Sequence, residues 1–205
     1  MKRIGIIDLP GSNSQGIRSA LSRFSVSAEI SRQVEHLEEC GGLILPGVGR
    51  FGHASEFLKD SGLARFVSKS HIRGTPILGI CLGFQLLFQS SQESPGYLGL
   101  GLIPGVVSRL EEAEDSRVPN IGWRALSSIG GDFQMLLSKE SLFYFAHSYE
   151  VKGEFPPESI ATASFGNTEF LAALRKENLW GAQFHPEKSH DPGLEFLAGF
   201  VEVIN

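Results

Sequence analysis

Gly79-Ile80-Cys81-Leu82-Gly83 sets one of the chain's two cysteines between an apolar run and a helix-compatible segment. Glycines two positions before and two after the thiol permit a sharp strand-to-helix turn, a nucleophile elbow with Cys in place of Ser. Such a turn exposes the sulfur beside N–H groups at a helix start, where the reactive thiolate is favoured. The competing reading is a small, buried, inert cysteine, the ordinary state of a free Cys. Cys40 lacks this setting and reads as structural. A cysteine nucleophile needs a base. Of six histidines, His185 is placed for that role, in Gln183-Phe184-His185-Pro186-Glu187. An apolar approach puts it at a strand end, and Pro186 turns the chain. Glu187, two residues on, can reach the far ring nitrogen and fix its tautomer. A strand-end histidine beside a surface acid fits the same residues equally well. His-x-Glu is also a weak metal motif, but no further ligands cluster near it, so no metal site is expected.

Acyl transfer further requires donors for an oxyanion. Pro46-Gly47-Val48-Gly49 closes another apolar run and frees its backbone to turn N–H groups inward. The N–H of Leu82, next to Cys81, is the second natural donor. Standing alone, Pro-Gly-x-Gly reads as a tight turn. No Gly-Lys-Ser/Thr follows it, and Gly5 and Gly11 form no dinucleotide fingerprint, so no cofactor is expected.

These residues must be carried by regular elements. Ile4–Asp8 reads as a strand ending in a turn, and 13–24 as a helix with Ile17, Leu21 and Phe24 on one face. Ser25–Ile30 alternates weakly, and 34–40 is a polar link or one helical turn. Leu43–Leu45 and Pro76–Ile80 are apolar strand cores; 53–57, 63–68 and 82–89 look helical. Apolar strands alternating with helices imply a mostly parallel sheet with helices on both faces. The second half differs. Val106–Leu110, Phe143–Ala146 and Ile160–Phe165 are short branched or aromatic runs, and 170–174 and 179–184 flank a hairpin link at Glu177-Asn178. They suggest antiparallel additions. A last helix covers 194–203. No repeat or linker divides the chain, so one domain, 1–205, is expected.

Composition narrows the functional classes. Hydrophobic residues are 41% and charged residues 20%, which excludes wholesale disorder. The formal charge is −5 with no basic stripe, so nucleic acid is not an expected partner. Two cysteines make no disulfide framework, and no apolar stretch is long enough to cross a membrane. A cytoplasmic protein is expected. Glycine is 24 of 205 residues, against a usual share of roughly 7%.

Three segments, 45–52, 79–88 and 183–189, resemble the triad-type (class I) glutamine amidotransferases, and within them the glutaminase subunits of imidazole glycerol phosphate synthases. Gly99–Gly105, Val118–Trp123 and Phe145–Tyr149 extend the likeness over nearly the whole chain. The resemblance implies the three-layer fold of that family. It also implies a triad of Cys81 as nucleophile, His185 as general acid and base, and Glu187 holding His185. Gly47, Val48, Gly49 and Leu82 would form the oxyanion hole. Gln85, His147, Ser148 and Tyr149 would hold glutamine. Asn13, Trp123 and Lys188 would face a partner, a (β/α)8-barrel cyclase that receives the ammonia for imidazole glycerol phosphate in histidine synthesis. In relatives the Pro46–Gly49 strand must reorient before glutamine is hydrolysed quickly.

The chain departs from the family pattern at Leu9-Pro10-Gly11-Ser12, at Phe84 and at Glu150. The first lies on the partner side in relatives. Alternatives keep the chemistry and change the recipient: surface-sugar amidation, pyridoxal phosphate or purine synthesis. A non-catalytic scaffold of this fold would lack Cys, His or Glu. A peptidase-like hydrolase would not carry this Glu and Pro-Gly-Val-Gly together.

Overall fold

The computed structural model describes residues 2–204. The chain runs β1 (Lys2–Ile7), α1 (Ser14–Leu21), β2 (Val26–Ser31), α2 (Val34–Leu37), β3 (Gly42–Leu45), α3 (Phe51–Asp60), α4 (Leu63–Ile72), β4 (Ile77–Ile80) and α5 (Leu82–Leu86). It continues through β5 (Ser90–Ser91), β6 (Val106–Arg109), β7 (Asn120–Ile129), β8 (Leu142–His147), β9 (Tyr149–Lys152), β10 (Ile160–Phe165), β11 (Thr168–Lys176), β12 (Leu179–Ala182) and α6 (His190–Glu202).

The short apolar strands β1, β3, β4 and β12 carry residues that alternate between two cores. Ile4, Ile6, Ile44, Leu78, Ile80, Trp180 and Ala182 point to one face and pack with Ile17 and Leu21 of α1 and Phe196, Leu197 and Phe200 of α6. Ile7, Leu43, Leu45, Ile77 and Leu179 point to the other and meet α3, α4 and α5. A strand buried on both faces has no polar side to show, which is why these runs read as continuously apolar. The result is three layers, helix, sheet, helix.

The main sheet has the order β2-β1-β3-β4-β12-β11-β10-β7-β8. From β2 to β12 every neighbour is parallel. From β12 to β8 every neighbour is antiparallel. The antiparallel additions are therefore as extensive as the parallel part. A small sheet, β5-β6-β9, lies beside it. The hairpin link at Glu177-Asn178 joins β11 and β12 as expected, with Glu177 at φ 54. Among the described residues no helix is long and apolar enough to cross a membrane.

Two of the departures from expectation have evident physical reasons. The helix expected over 82–89 ends at Leu86. A returning loop donates the N–H groups of Leu100, Leu102 and Gly101 to the carbonyls of Leu86, Leu87 and Phe88, at 2.7, 2.9 and 3.0 Å. Those carbonyls are thus satisfied from outside and the helix need not continue. The ten-residue β7 was not expected, because its apolar residues do not mark one buried face: Ile121 and Trp123 are exposed while Leu126 is buried, and its register with β8 and β10 defines it.

Glycines on the second face of β4 and β12 admit one aromatic ring. Phe84, fully buried, lies against Gly181, where a Cβ would overlap the ring, and its backbone lies against Gly79. Gly181→Ala is expected to lower stability by about 1–3 kcal/mol through overpacking. Phe84→Leu alone should also destabilise, yet combined with Gly181→Ala it should cost less than the sum. Urea unfolding of the four proteins measures this, and strict additivity would refute the contact.

Candidate active site

Cys81 occupies the one-residue junction between β4 and α5, at φ 54 and ψ −111. A non-glycine residue in that region is strained by roughly 1–3 kcal/mol and persists only where its surroundings fix it. Here its N–H donates to the Ala182 carbonyl at 2.7 Å, and its carbonyl accepts from Gln85 N–H at 3.2 Å to start the helix. The flanking glycines permit this turn as expected, though neither takes the positive φ itself. They do so by allowing close approach. A Cβ on Gly83 would overlap the Leu45 carbonyl oxygen, and one on Gly79 would sit 2.7 Å from the Phe84 Cα.

His185 lies just beyond β12. Its N–H donates to the Tyr144 carbonyl of β8 at 2.9 Å, and its carbonyl accepts from Ser189 Oγ at 2.7 Å. Ser189 Oγ also accepts from Tyr144 N–H at 3.0 Å, so this fully buried serine ties the turn to β8 from both sides. The ring Nδ1 is 3.0 Å from Glu187 Oε1, which leaves Nε2 for the Cys81 side. Both side chains are buried, His185 at 4% and Glu187 at 1% exposure. Asn13 Nδ2 donates to the same Glu187 oxygen at 3.1 Å. Asn13 was expected to face a partner; its amide is instead turned in on this carboxylate. Burial opposes the imidazolium, but hydrogen bonding and attraction from Cys81 and Glu187 outweigh it and raise the His185 pKa to about 10. Burial likewise pushes Glu187 up, and His185 and Asn13 overcome it, so Glu187 ends below the usual carboxylate range.

The thiol opens on a cavity of about 200 Å³ lined by Val48, Gly49, Cys81, Gln85, Glu93 and residues 146–149 among others. Gln85 spends its amide nitrogen internally, donating to the Tyr149 carbonyl at 3.0 Å and to Gln183 Oε1 at 2.9 Å. His147 is likewise committed. Its Nδ1 lies 2.8 Å from the Tyr149 carbonyl and its Nε2 2.8 Å from Asn120 Nδ2. Burial, only partly offset by the Tyr149 bond, lowers its pKa to about 4, so it is a neutral wall of the cavity. Ser148 and Tyr149 line the same wall. Glu93 was not singled out from the sequence. One carboxylate oxygen caps α3 through Phe51 N–H at 2.6 Å, and the residue is the acid of the cavity lining.

The expected oxyanion donors are present but not assembled. The Leu82 N–H donates to the Gly47 carbonyl at 3.3 Å, so a carbonyl, not an N–H, faces it from that loop. Val48 is 38% exposed, and Gly49 sits at φ 94 with no neighbour within 4 Å of a built Cβ.

Of the residues expected at a partner face, Trp123 and Lys188 lie together. Trp123, 43% exposed, stacks on His190 at 5.0 Å, and Lys188 Nζ lies 5.6 Å from the Tyr144 ring. A cleft of about 490 Å³ beside them, between α1 and the 186–194 segment, reaches the back of Glu187. The variant loop after β1 is ordered by its own chemistry: Leu9 is buried in the second core, and Arg32 holds Asp8 at 2.9 Å. Glu150 is fully buried, with the Lys152 ammonium 2.9 Å from Oε1 but no aligned hydrogen bond to either oxygen, and burial raises its pKa. Among the described residues no group of three or more His, Cys, Asp or Glu could hold a metal ion.

Comparison with known proteins places this geometry in a family. The profile of the family described as "Glutamine amidotransferase class-I" matches residues 6–203. The "Imidazole glycerol phosphate synthase subunit HisH" of a Thermus thermophilus strain is 42% identical over 193 residues, 94% of this chain and 93% of that protein. The "Imidazole glycerol phosphate synthase hisHF" of Emericella nidulans is 34% identical over 98% of this chain, which covers only 38% of that longer protein. Among solved structures, PurLQS from Thermotoga maritima shares the fold with a TM-score of 0.71 at 18% identity, covering 98% of both chains.

The raised pKa of His185 has a consequence for stability. A histidine charged more readily in the folded state stabilises it fully below the unfolded value near 6.5, and the benefit is lost as pH rises to about 10. The stability margin of the wild type over His185→Gln should therefore narrow between pH 7 and 10. Urea unfolding across that range reads the margin; a gap that widened with pH would contradict the assignment.

Proposed function

The chain belongs to the class-I glutamine amidotransferase family, and from that premise we propose how its site works as the glutaminase subunit of an imidazole glycerol phosphate synthase. It hydrolyses glutamine to glutamate and ammonia, with residues 1–205 acting as one glutaminase domain. The observation that carries the reading is the strained elbow of Cys81 beside the buried His185–Glu187 pair.

Glutamine enters the cavity with its side-chain amide toward Cys81. Glu93 supplies a negative charge for the α-ammonium group, and the Gln85 side-chain oxygen, unused by the internal bonds of its nitrogen, is an acceptor beside it. The Cys81 thiolate attacks the amide carbon; a C–S bond forms and the carbonyl electrons move to oxygen. His185, charged at neutral pH, gives its Nε2 proton to the departing nitrogen, and ammonia leaves a thioester. The now neutral ring takes a proton from water, which attacks the thioester and releases glutamate and the thiolate. Glu187 stabilises each return of the ring to its charged form.

The oxyanion requires the N–H of Leu82 and one from the Gly47–Gly49 segment. With Leu82 bonded to the Gly47 carbonyl, this chain is at rest. Rotation of the Gly47–Val48 peptide would free Leu82 and bring the Val48 N–H inward. A partner that favours the rotated form thus switches the glutaminase on. A (β/α)8-barrel cyclase, fed with ammonia and docked over Trp123 and Lys188, fits this role. That the chain matches 38% of a longer protein named for the synthase supports it.

The test is glutamine hydrolysis by the chain alone, with a barrel cyclase, and with cyclase plus its nucleotide ligand. The expected order is slow, intermediate and fast; full rate without a partner would sink the gated reading. Cys81→Ala should abolish turnover, a loss on the order of 10⁴-fold or more. Trp123→Ala should weaken cyclase binding about tenfold or more by calorimetry while leaving the isolated chain folded.

A further inference from the structure

Gln183 is fully buried, one residue past β12, and has no role in the mechanism so far described. Its side chain lies between two groups of the site. Oε1 accepts from Gln85 Nε2 at 2.9 Å, and Nε2 lies 3.8 Å from Cys81 Sγ. The orientation of this amide is set by its neighbours. The Tyr149 carbonyl can only accept, so the Gln85 atom 3.0 Å from it must be the nitrogen. That same nitrogen donates to Gln183, so the Gln183 atom it meets is the oxygen. The other end, turned to the sulfur, is therefore NH₂. The chain of assignments extends further. His147 Nδ1 donates to the Tyr149 carbonyl, Asn120 Nδ2 donates to His147 Nε2, and the Asn120 oxygen accepts from Arg124, which carries no acceptor.

We propose that Gln183 is a catalytic residue, a fixed N–H donor to the Cys81 sulfur that favours its thiolate and aims it into the cavity. The inference rests on Cys81 being the nucleophile. The other contact of the sulfur shows why a donor matters. The Ala146 carbonyl lies 3.9 Å away and suits a thiol S–H, but it repels a thiolate. An N–H donor does the reverse, since hydrogen bonds strengthen when the acceptor is charged. The remaining charged or titratable groups around the sulfur are His185 from the turn after β12, and Glu93, His147 and Tyr149 in the cavity lining. Glu93 opposes the thiolate and His147 is neutral. Gln183 and His185 each turn a donor to the sulfur, and Gln183 keeps its donor at every pH.

The test is the pH dependence of Cys81 alkylation by iodoacetamide, in a Cys40→Ser background so that one thiol reacts. Gln183→Met removes the donor at similar size, and Gln183→Glu replaces it with an acceptor. The midpoint of the rate-against-pH curve should rise by about one pH unit in the first and further in the second, the size of one charge-assisted hydrogen bond. Unmoved midpoints in folded variants would overturn the proposal. If the variants do not fold, the wild type decides through ¹⁵N-labelled glutamine side chains. The Gln183 NH₂ resonance should shift along the alkylation midpoint, and that shift should vanish in Cys81→Ala. A resonance indifferent to both would overturn it. Alkylation needs no glutamine, so absence of glutaminase activity would sink the function proposed above without deciding the part of Gln183.

Discussion

The start of α5 is pressed against the end of β3 with no side chain between them, and the site depends on that contact. Gly83 sits where any Cβ would strike the Leu45 carbonyl, and Gly47 packs within 2.9 Å, measured from a built Cβ, of the Gly83 nitrogen and Leu82 Cβ. Because the backbones meet directly, the chain leaving β4 has one residue in which to turn. That residue is Cys81, and its positive φ is the result. The same closeness brings the Leu82 N–H onto the Gly47 carbonyl. The backbone geometry of Cys81 and the engaged Leu82 N–H are consequences of a single packing constraint.

The other half of the site comes from the antiparallel part of the sheet. β12 lies at the join, parallel to β4 and antiparallel to β11. It delivers His185 beside a cysteine that the parallel half supplies. Neither half could hold the charged ring unaided. Burial of a charge is costly unless every partner is placed. Here the partners come from four places: Cys81 from the elbow, Glu187 from the turn, Asn13 from before α1, and Tyr144 with Ser189 holding the backbone.

The sequence made the two halves legible to different degrees. Cys81 and His185 stand at the ends of apolar runs, and strands buried on both faces are the easiest to see. The parallel strands followed from that. β7 did not, because its apolar residues include the exposed Ile121 and Trp123 and do not mark one buried face. Spacing shows that small residues flank the thiol and permit its turn, but not that they do so by admitting neighbouring backbone rather than by taking positive φ. Asn13, Glu93, Gln183 and Ser189 make contacts with residues 42 to 174 positions away, which no local pattern encodes. Gln183 and Ser189 could have been flagged as polar residues beside apolar ones at the motif's edges. Asn13 is marked in the sequence only by the resemblance, and for a partner face, while Glu93 left no trace.

On the proposed reading, the Leu82–Gly47 hydrogen bond also limits how the site is switched. A neutral backbone bond contributes about 0.5–1.5 kcal/mol net, and 1.4 kcal/mol corresponds to a factor of about ten. The Leu82–Gly47 bond alone therefore holds the closed form by no more than roughly tenfold. The surrounding backbone adds little on the solvent side, where Val48 is exposed and Gly49 has open space. It adds more on the inner side, where Gly47 is wedged against Leu82 and Gly83. Any activation far above tenfold must then draw on that inner packing, which rotation of the Gly47–Val48 peptide would have to loosen. A partner can supply such energy only by binding the rotated form more tightly than the resting one. On the proposed reading, a partner's leverage would be exerted where Val48 meets the surface, and the resistance would lie one residue inward, at Gly47.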